Sequence, residues 1–191
     1  MSARFAVALL SVVILAGCQD QQSTVVPQAV AMTEEALGHY CQMNLTEHEG
    51  PKAQIHLAKF KHPVWFSQVR DAVAFTRLPE ETDEVAAIYV SDMGKAVSWT
   101  DPGKDNWVDA AKAWFVIGSN LRGGMGAPEA VPFGDEAVAT AFAKDNGGSV
   151  VRLADIPDDY VLAPVEVAPM SMDHSTTSSH TGGEHGAHAT Q

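Results

Sequence analysis

Two phenylalanines nine residues apart recur 67 residues downstream: Phe66 and Phe75 in VWFSQVRDAVAFTR, then Phe133 and Phe142 in VPFGDEAVATAFAK. The same offset lays Ala72 on Ala139, Val73 on Thr140 and Ala74 on Ala141. One supersecondary unit used twice accounts for such a repeat, and this restricts the architecture more than composition does. Apolar positions in each segment have helical spacing, Phe66, Val69, Val73 and Phe133, Ala137, Ala141. Each segment opens on a helix-start residue, Ser67 in the first and Asp135 in the second. A strand-like run follows each helix, at 85–90 and 149–153. Further strand-like runs precede them, at 42–45 and 54–57 in the first half and at 113–117 in the second. The pattern predicts an α+β fold of two similar ββαβ units packed together, with one clear strand ahead of the second helix instead of two. Gly50 and Pro51 predict a hairpin between the first two runs, with TEHEGPK as its loop. The run Gly123-Gly124-Met125-Gly126 is a flexible stretch that reads either as close approach of backbone to a site or as a loop tip.

Residues 1–17 carry Arg4 and then an apolar run, a secretory signal too short and one-sided for a spanning helix. It closes on Leu15-Ala16-Gly17-Cys18, the pattern of a bacterial lipoprotein box, which predicts cleavage before Cys18 and diacylation of its sulfur. Each buried acyl methylene adds about 0.8 kcal/mol of membrane affinity. The expectation is a periplasmic protein lipid-anchored to a membrane; the outer membrane is favoured because Gln19 supplies no inner-membrane retention signal. Residues 18–32 then read as a flexible lipidated linker, and 33–168 as the globular metal-binding domain with repeat halves 33–95 and 96–168. Residues 169–191 read as a disordered tail with His174, His180, His185, His188, Met170 and Met172, too poor in large apolar residues to offset its ordering entropy. A tract of this composition binds metal loosely. The net charge of −12 and the lack of Lys/Arg clusters argue against nucleic acid as a partner.

The chain has two cysteines. With Cys18 acylated, Cys41 has no disulfide partner within it, and an unpaired thiol in an exported protein suggests a reactive or ligating role. On a strand, Cys41 and Met43 of HYCQM would project to one face. A thiolate beside a thioether is a soft pair that selects Cu(I) over Mg, Ca or Mn; zinc rarely takes methionine. Two sulfurs leave Cu(I) two-coordinate, and His39, His48, His56 and Met125 are candidates for a further ligand. His39 would share the face of Cys41 and Met43, and Met125 is exposed between glycines. Two other classes compete. One is an enzyme with Cys41 as nucleophile and His39 or His56 as base, which lacks an orienting third group by motif. The other is a metal-free interaction lipoprotein in which Cys41 is an inert core residue.

The segments HYCQMNLTEHEGPKAQIHL, VWFSQVRDAVAF and AWFVIGSNLRGGMGAPEAVPF closely resemble the nitrous oxide reductase accessory lipoprotein family, NosL, over about residues 33–160. The resemblance implies paired ββαβ units and a non-enzymatic periplasmic Cu(I) chaperone serving assembly of nitrous oxide reductase. Its partners would be the NosDFY membrane complex and the apo reductase. The family's Cys-x-Met motif falls on Cys41 and Met43, and its loop methionine on Met125. One histidine is implied as a further ligand, and His39 is chosen here. Where the family commonly has glycine between cysteine and methionine, this chain has Gln42, whose side chain is expected to point away and matter little.

Overall fold

The computed structural model describes residues 26–165; the secretory segment, Cys18 and the His-rich tail lie outside the described residues. The first unit runs through β1 (Ala53–Leu57), β2 (Val64–Phe66), α1 (Val69–Phe75) and β3 (Val85–Ser91). After β4 (Trp107–Asp109), the second runs through β5 (Trp114–Ile117), β6 (Val131–Phe133), α2 (Glu136–Asn146) and β7 (Ser149–Val151). A short α3 (Asp158–Leu162) closes the domain. The strands form two antiparallel sheets ordered β2-β1-β3-β4 and β6-β5-β7, so each ββαβ unit has the same topology. Among the described residues no helix is long and apolar enough to cross a membrane.

The repeated phenylalanines perform the same task twice. Phe66 on β2 packs on Phe75 of α1 with ring centroids 5.4 Å apart, and Phe133 on β6 packs on Phe142 of α2 at 5.0 Å. Such pairs add about 0.5–1.5 kcal/mol beyond the area they bury. Phe66 and Phe133 are 67 residues apart, but their ladder partners Ala53 and Trp114 are only 61 apart. The β5–β6 connection therefore carries six more residues than β1–β2, and the Gly-Gly-Met-Gly run lies in it. β6 escaped the sequence reading because it is three residues long with Pro132 in the middle, a residue tolerated there because β6 is an edge strand.

The two units share a core. Ile55, Phe66, Val69, Val73, Phe75 and Val90 of the first pack with Phe115 and Ala130 of the second. Val116, the next residue on β5, faces the other way and packs with Val131, Phe133 and Ala139 beneath α2, as the alternation of a strand requires. Buried Asp92 accepts hydrogen bonds from Gly94 N (3.1 Å) and Gly134 N (2.9 Å), and Met93 N donates to Pro132 O at 2.9 Å, joining the sheets.

Three expectations are corrected. The 42–45 strand and its hairpin do not form: the chain makes a 3-10 turn at Leu45–Glu47, and β1 pairs with β2 and β3 instead. The Asn44 side chain accepts from Thr46 N at 2.9 Å, and Leu45 is fully buried with Met32 and Ala36; local capping and burial outweigh extension. The expected linker is fastened from Pro27 onward. Gln54, buried on β1, exchanges two 2.9 Å hydrogen bonds with the Val30 backbone, Tyr89 donates to Pro27 O at 2.7 Å, and Met32 is buried. A buried amide needs partners, and this segment supplies them.

The third correction concerns helix starts. Asp135 caps α2 as expected, accepting from Val138 N at 3.0 Å. Ser67 does not cap α1; the N-cap is Gln68, with no side-chain cap bond. The first amides of α1 donate instead to the carboxyl of Glu129, Val69 N at 3.3 Å and Arg70 N at 2.8 Å. Burial pushes the Glu129 carboxyl up to about 8, against the pull of the Arg70, Ala130 and Val69 amides. The folded state thus holds this proton more tightly than the unfolded chain does. Its contribution to stability is complete below the unfolded carboxyl range and is lost as pH rises toward about 8, by up to about 1.4 kcal/mol per pH unit. Glu129→Gln, which mimics the neutral acid, should flatten the decline of melting temperature across that window; an unchanged decline would assign the proton to another group.

Candidate metal centre

Cys41 lies in a turn. Gln42 N donates to Gly38 O at 2.8 Å and Gly38 N to Met43 O at 2.9 Å, closing residues 38–43 with Gln42 at φ 55°. The two sulfur-bearing residues therefore do not share a strand face; they stand on either side of a left-handed residue. That conformation costs a side-chain-bearing residue about 1–2 kcal/mol, partly offset by Gln42 Nε2 donating to His39 O at 2.6 Å. The residue between cysteine and methionine thus matters through its backbone, contrary to the expectation drawn for Gln42. Gly38 makes room for the thiol, since a Cβ there would stand 2.5 Å from Cys41 Sγ.

Cys41 is half-buried, with its Sγ 3.7 Å from Ser67 Oγ and 3.8 Å from His48 Nε2. His48 is buried, and its Nδ1 lies 3.2 Å from the carbonyl oxygen of Gly124. A carbonyl can only accept, so this contact assigns the proton to Nδ1 and leaves the Nε2 lone pair facing the thiol. The stretch next to His48 is held by buried Lys52, whose Nζ donates to Glu49 O (3.0 Å) and Gly50 O (2.6 Å). Burial lowers the Lys52 pKa to about 8, with Glu129 and Glu49 opposing.

The glycine run is a close-approach segment. A Cβ on Gly124 would stand 2.6 Å from His48 Cβ, and one on Gly123 would stand 2.5 Å from both Gln68 Oε1 and Glu129 Oε2. Gly126 N donates to Gly123 O at 2.8 Å, and Met125 N donates to Gln68 Oε1 at 3.0 Å. The side chains of Met43 and Met125 are about half exposed.

The histidine at the thiol is therefore His48. The His39 ring packs against Tyr40, Phe66 and Phe75, with centroids 4.9, 5.7 and 5.4 Å away. His56 is buried on β1, its Nε2 2.9 Å from Gln54 Oε1, and burial lowers its pKa. Neither makes a hydrogen bond with Cys41. Among the described residues no three His, Cys, Asp or Glu side chains cluster as a metal site. A thiol facing an imidazole nitrogen is a pair of soft-metal donors. The half-exposed thioethers of Met43, on the Cys41 turn, and Met125, next to the Gly124 that holds His48, are of a donor type that suits Cu(I) better than zinc.

A profile of the NosL family matches residues 29–161. The chain belongs to the NosL family. It is 53% identical over 165 residues to the copper-binding lipoprotein NosL of Achromobacter cycloclastes, covering 85% of this chain and 84% of that one. Over 180 residues it is 36% identical to the copper-binding lipoprotein NosL of Stutzerimonas stutzeri, covering 92% and 88%. The crystal structure of the copper chaperone NosL from Shewanella denitrificans matches with a TM-score of 0.63 at 32% identity, over 68% of this chain and 95% of that one. For this NosL chain the turn geometry makes a direct prediction. Gln42→Gly should relieve the left-handed strain and stabilise the apo protein by about 1 kcal/mol in denaturant unfolding; a destabilised variant would mean that the Gln42 side-chain bond outweighs that strain.

Proposed function

We propose that this protein is a membrane-anchored copper chaperone that holds Cu(I) as cargo and passes it on by ligand exchange, without catalysing a reaction. The observation that carries the reading is the half-buried Cys41 thiol facing the Nε2 lone pair of His48, with two exposed methionines on the adjoining turns. Family membership and the names of the relatives support it. The ligands assigned are Cys41, His48, Met43 and Met125, with His48 taking the place first given to His39. Binding displaces the thiol proton to solvent, leaving thiolate on the metal. Copper stays Cu(I) throughout, so the protein supplies no electron. An acceptor's sulfur or nitrogen can enter as a thioether leaves, because Met43 and Met125 are exposed and individually weak ligands.

The lipid anchor is placed at Cys18, facing the periplasm, with the outer membrane preferred. The acceptor is the maturation machinery of nitrous oxide reductase: the NosDFY complex and, through it, the apo reductase. The relatives' description as copper-binding lipoproteins supports the anchor and the cargo.

Titration with Cu(I) against a competing chelator tests the site. Wild type should take up one tightly bound Cu(I), and His48→Ala should lose about tenfold or more in affinity, about 1.4 kcal/mol per tenfold. His39→Ala should leave affinity unchanged, its ring being engaged with aromatic neighbours. The converse pattern would return the nitrogen ligand to His39, and full affinity in Cys41→Ser would refute the chaperone reading itself.

A further inference from the structure

The β5–β6 connection and the start of α1 hold each other by reciprocal exchange. From the connection, Glu129 accepts the amides of Val69 (3.3 Å) and Arg70 (2.8 Å). From the helix start, Gln68 Oε1 accepts the amide of Met125 at 3.0 Å. Gln68 Nε2 donates to Asp71 Oδ2 at 2.8 Å, which settles which end of the amide faces Met125. Both Gln68 and Glu129 are buried. Gln68 occupies the N-cap of α1 yet makes no cap bond; its side chain serves the loop instead. Gly123 is the seat of the joint, because a Cβ there would stand 2.5 Å from both side-chain oxygens. The residue before Gln68 is Ser67, whose Oγ lies 3.7 Å from Cys41 Sγ. Two consecutive residues therefore address two sulfur-bearing segments from different repeats.

We propose that Gln68 is a positioning residue for copper: with Glu129 as its counterpart, it clamps the Met125 backbone to α1 and so sets the separation between Met125 and Cys41. The proposal rests on the reading of Met125 as a ligand. With the clamp in place the loop is ordered before copper arrives; without it, ordering would have to accompany binding and would weaken it.

Cu(I) affinities of full-length wild type, Gln68→Ala, Met125→Ala and the double variant form a mutant cycle that tests this. Gln68→Ala should lower affinity about 10- to 100-fold, the range seen when a partner that orients a ligand is removed, and should add nothing further once Met125 is alanine. Copper X-ray absorption of Gln68→Ala should show one sulfur neighbour fewer than wild type, as in Met125→Ala. Additive losses in the cycle, or an unchanged sulfur count, overturn the proposal, since a general weakening of the fold would act whether or not Met125 is present. If Gln68→Ala does not fold, Gly123→Ala lifts the loop from the same two oxygens and must show the same dependence on Met125; additivity there overturns it equally. A silent Met125→Ala with copper binding still dependent on Cys41 sinks this inference and leaves the chaperone standing. A silent Cys41→Ser removes both.

Discussion

Helix α1 is seven residues long, and its first amides are met by the Glu129 carboxyl, 59 and 60 residues away in sequence, not by a side chain of its own N-cap. A helix this short has almost no stability of its own. It persists because Val69, Ala72, Val73 and Phe75 are buried and because its N-terminal donors find an acceptor in the second unit. The same interaction pulls the longer β5–β6 connection across the start of α1. Gly123 then sits between Gln68 and Glu129, Gly124 reaches the His48 ring, and the Met125 amide is tied to Gln68. Packing of the two repeats therefore also brings the Gly124–Met125 segment onto His48 and Gln68.

The centre combines rigidity with access. His48 is buried and oriented through Nδ1, and Cys41 sits in a turn closed by backbone hydrogen bonds. The methionines, by contrast, are exposed. A site that must release its cargo would benefit from this division: in the proposed ligand set the firm residues give affinity and the exposed thioethers give a route for exchange. The acidic surface concentrates cations of any kind; in the proposed site, selection for monovalent copper would come from the softness of thiolate and thioether.

Much of the architecture was legible because periodic patterns report local structure. The Phe66/Phe75 and Phe133/Phe142 pairs announced two units, and the helix–strand alternation around them is what the chain adopts. The misreadings have physical causes. HYCQMN looks extended by composition, but Asn44 capping a 3-10 turn and Leu45 going into the core bend it instead. Phe66 and Phe133, included in the helical spacing of apolar positions, are the last residues of strands that pack back on the helices. Residues 27–32 looked like a tether because their anchorage depends on Gln54 and Tyr89, whose needs are invisible in the segment itself.

The candidate donor types, the Cys41 thiol, the neighbouring Met43 thioether and Met125 among glycines, could be named from the chain alone, because each carries its chemistry wherever it is placed. Which histidine faces the thiol could not. His39 is two residues from Cys41 and His48 is seven, yet with residues 38–43 closed into a turn it is His48 whose ring nitrogen faces the thiol. His48 is oriented by a carbonyl 76 residues away, and Met125 is held by an amide 57 residues away. Contacts at such separation arise only when the two repeats dock, because shared burial of Phe66, Phe115 and Ala130, not local propensity, brings those segments together.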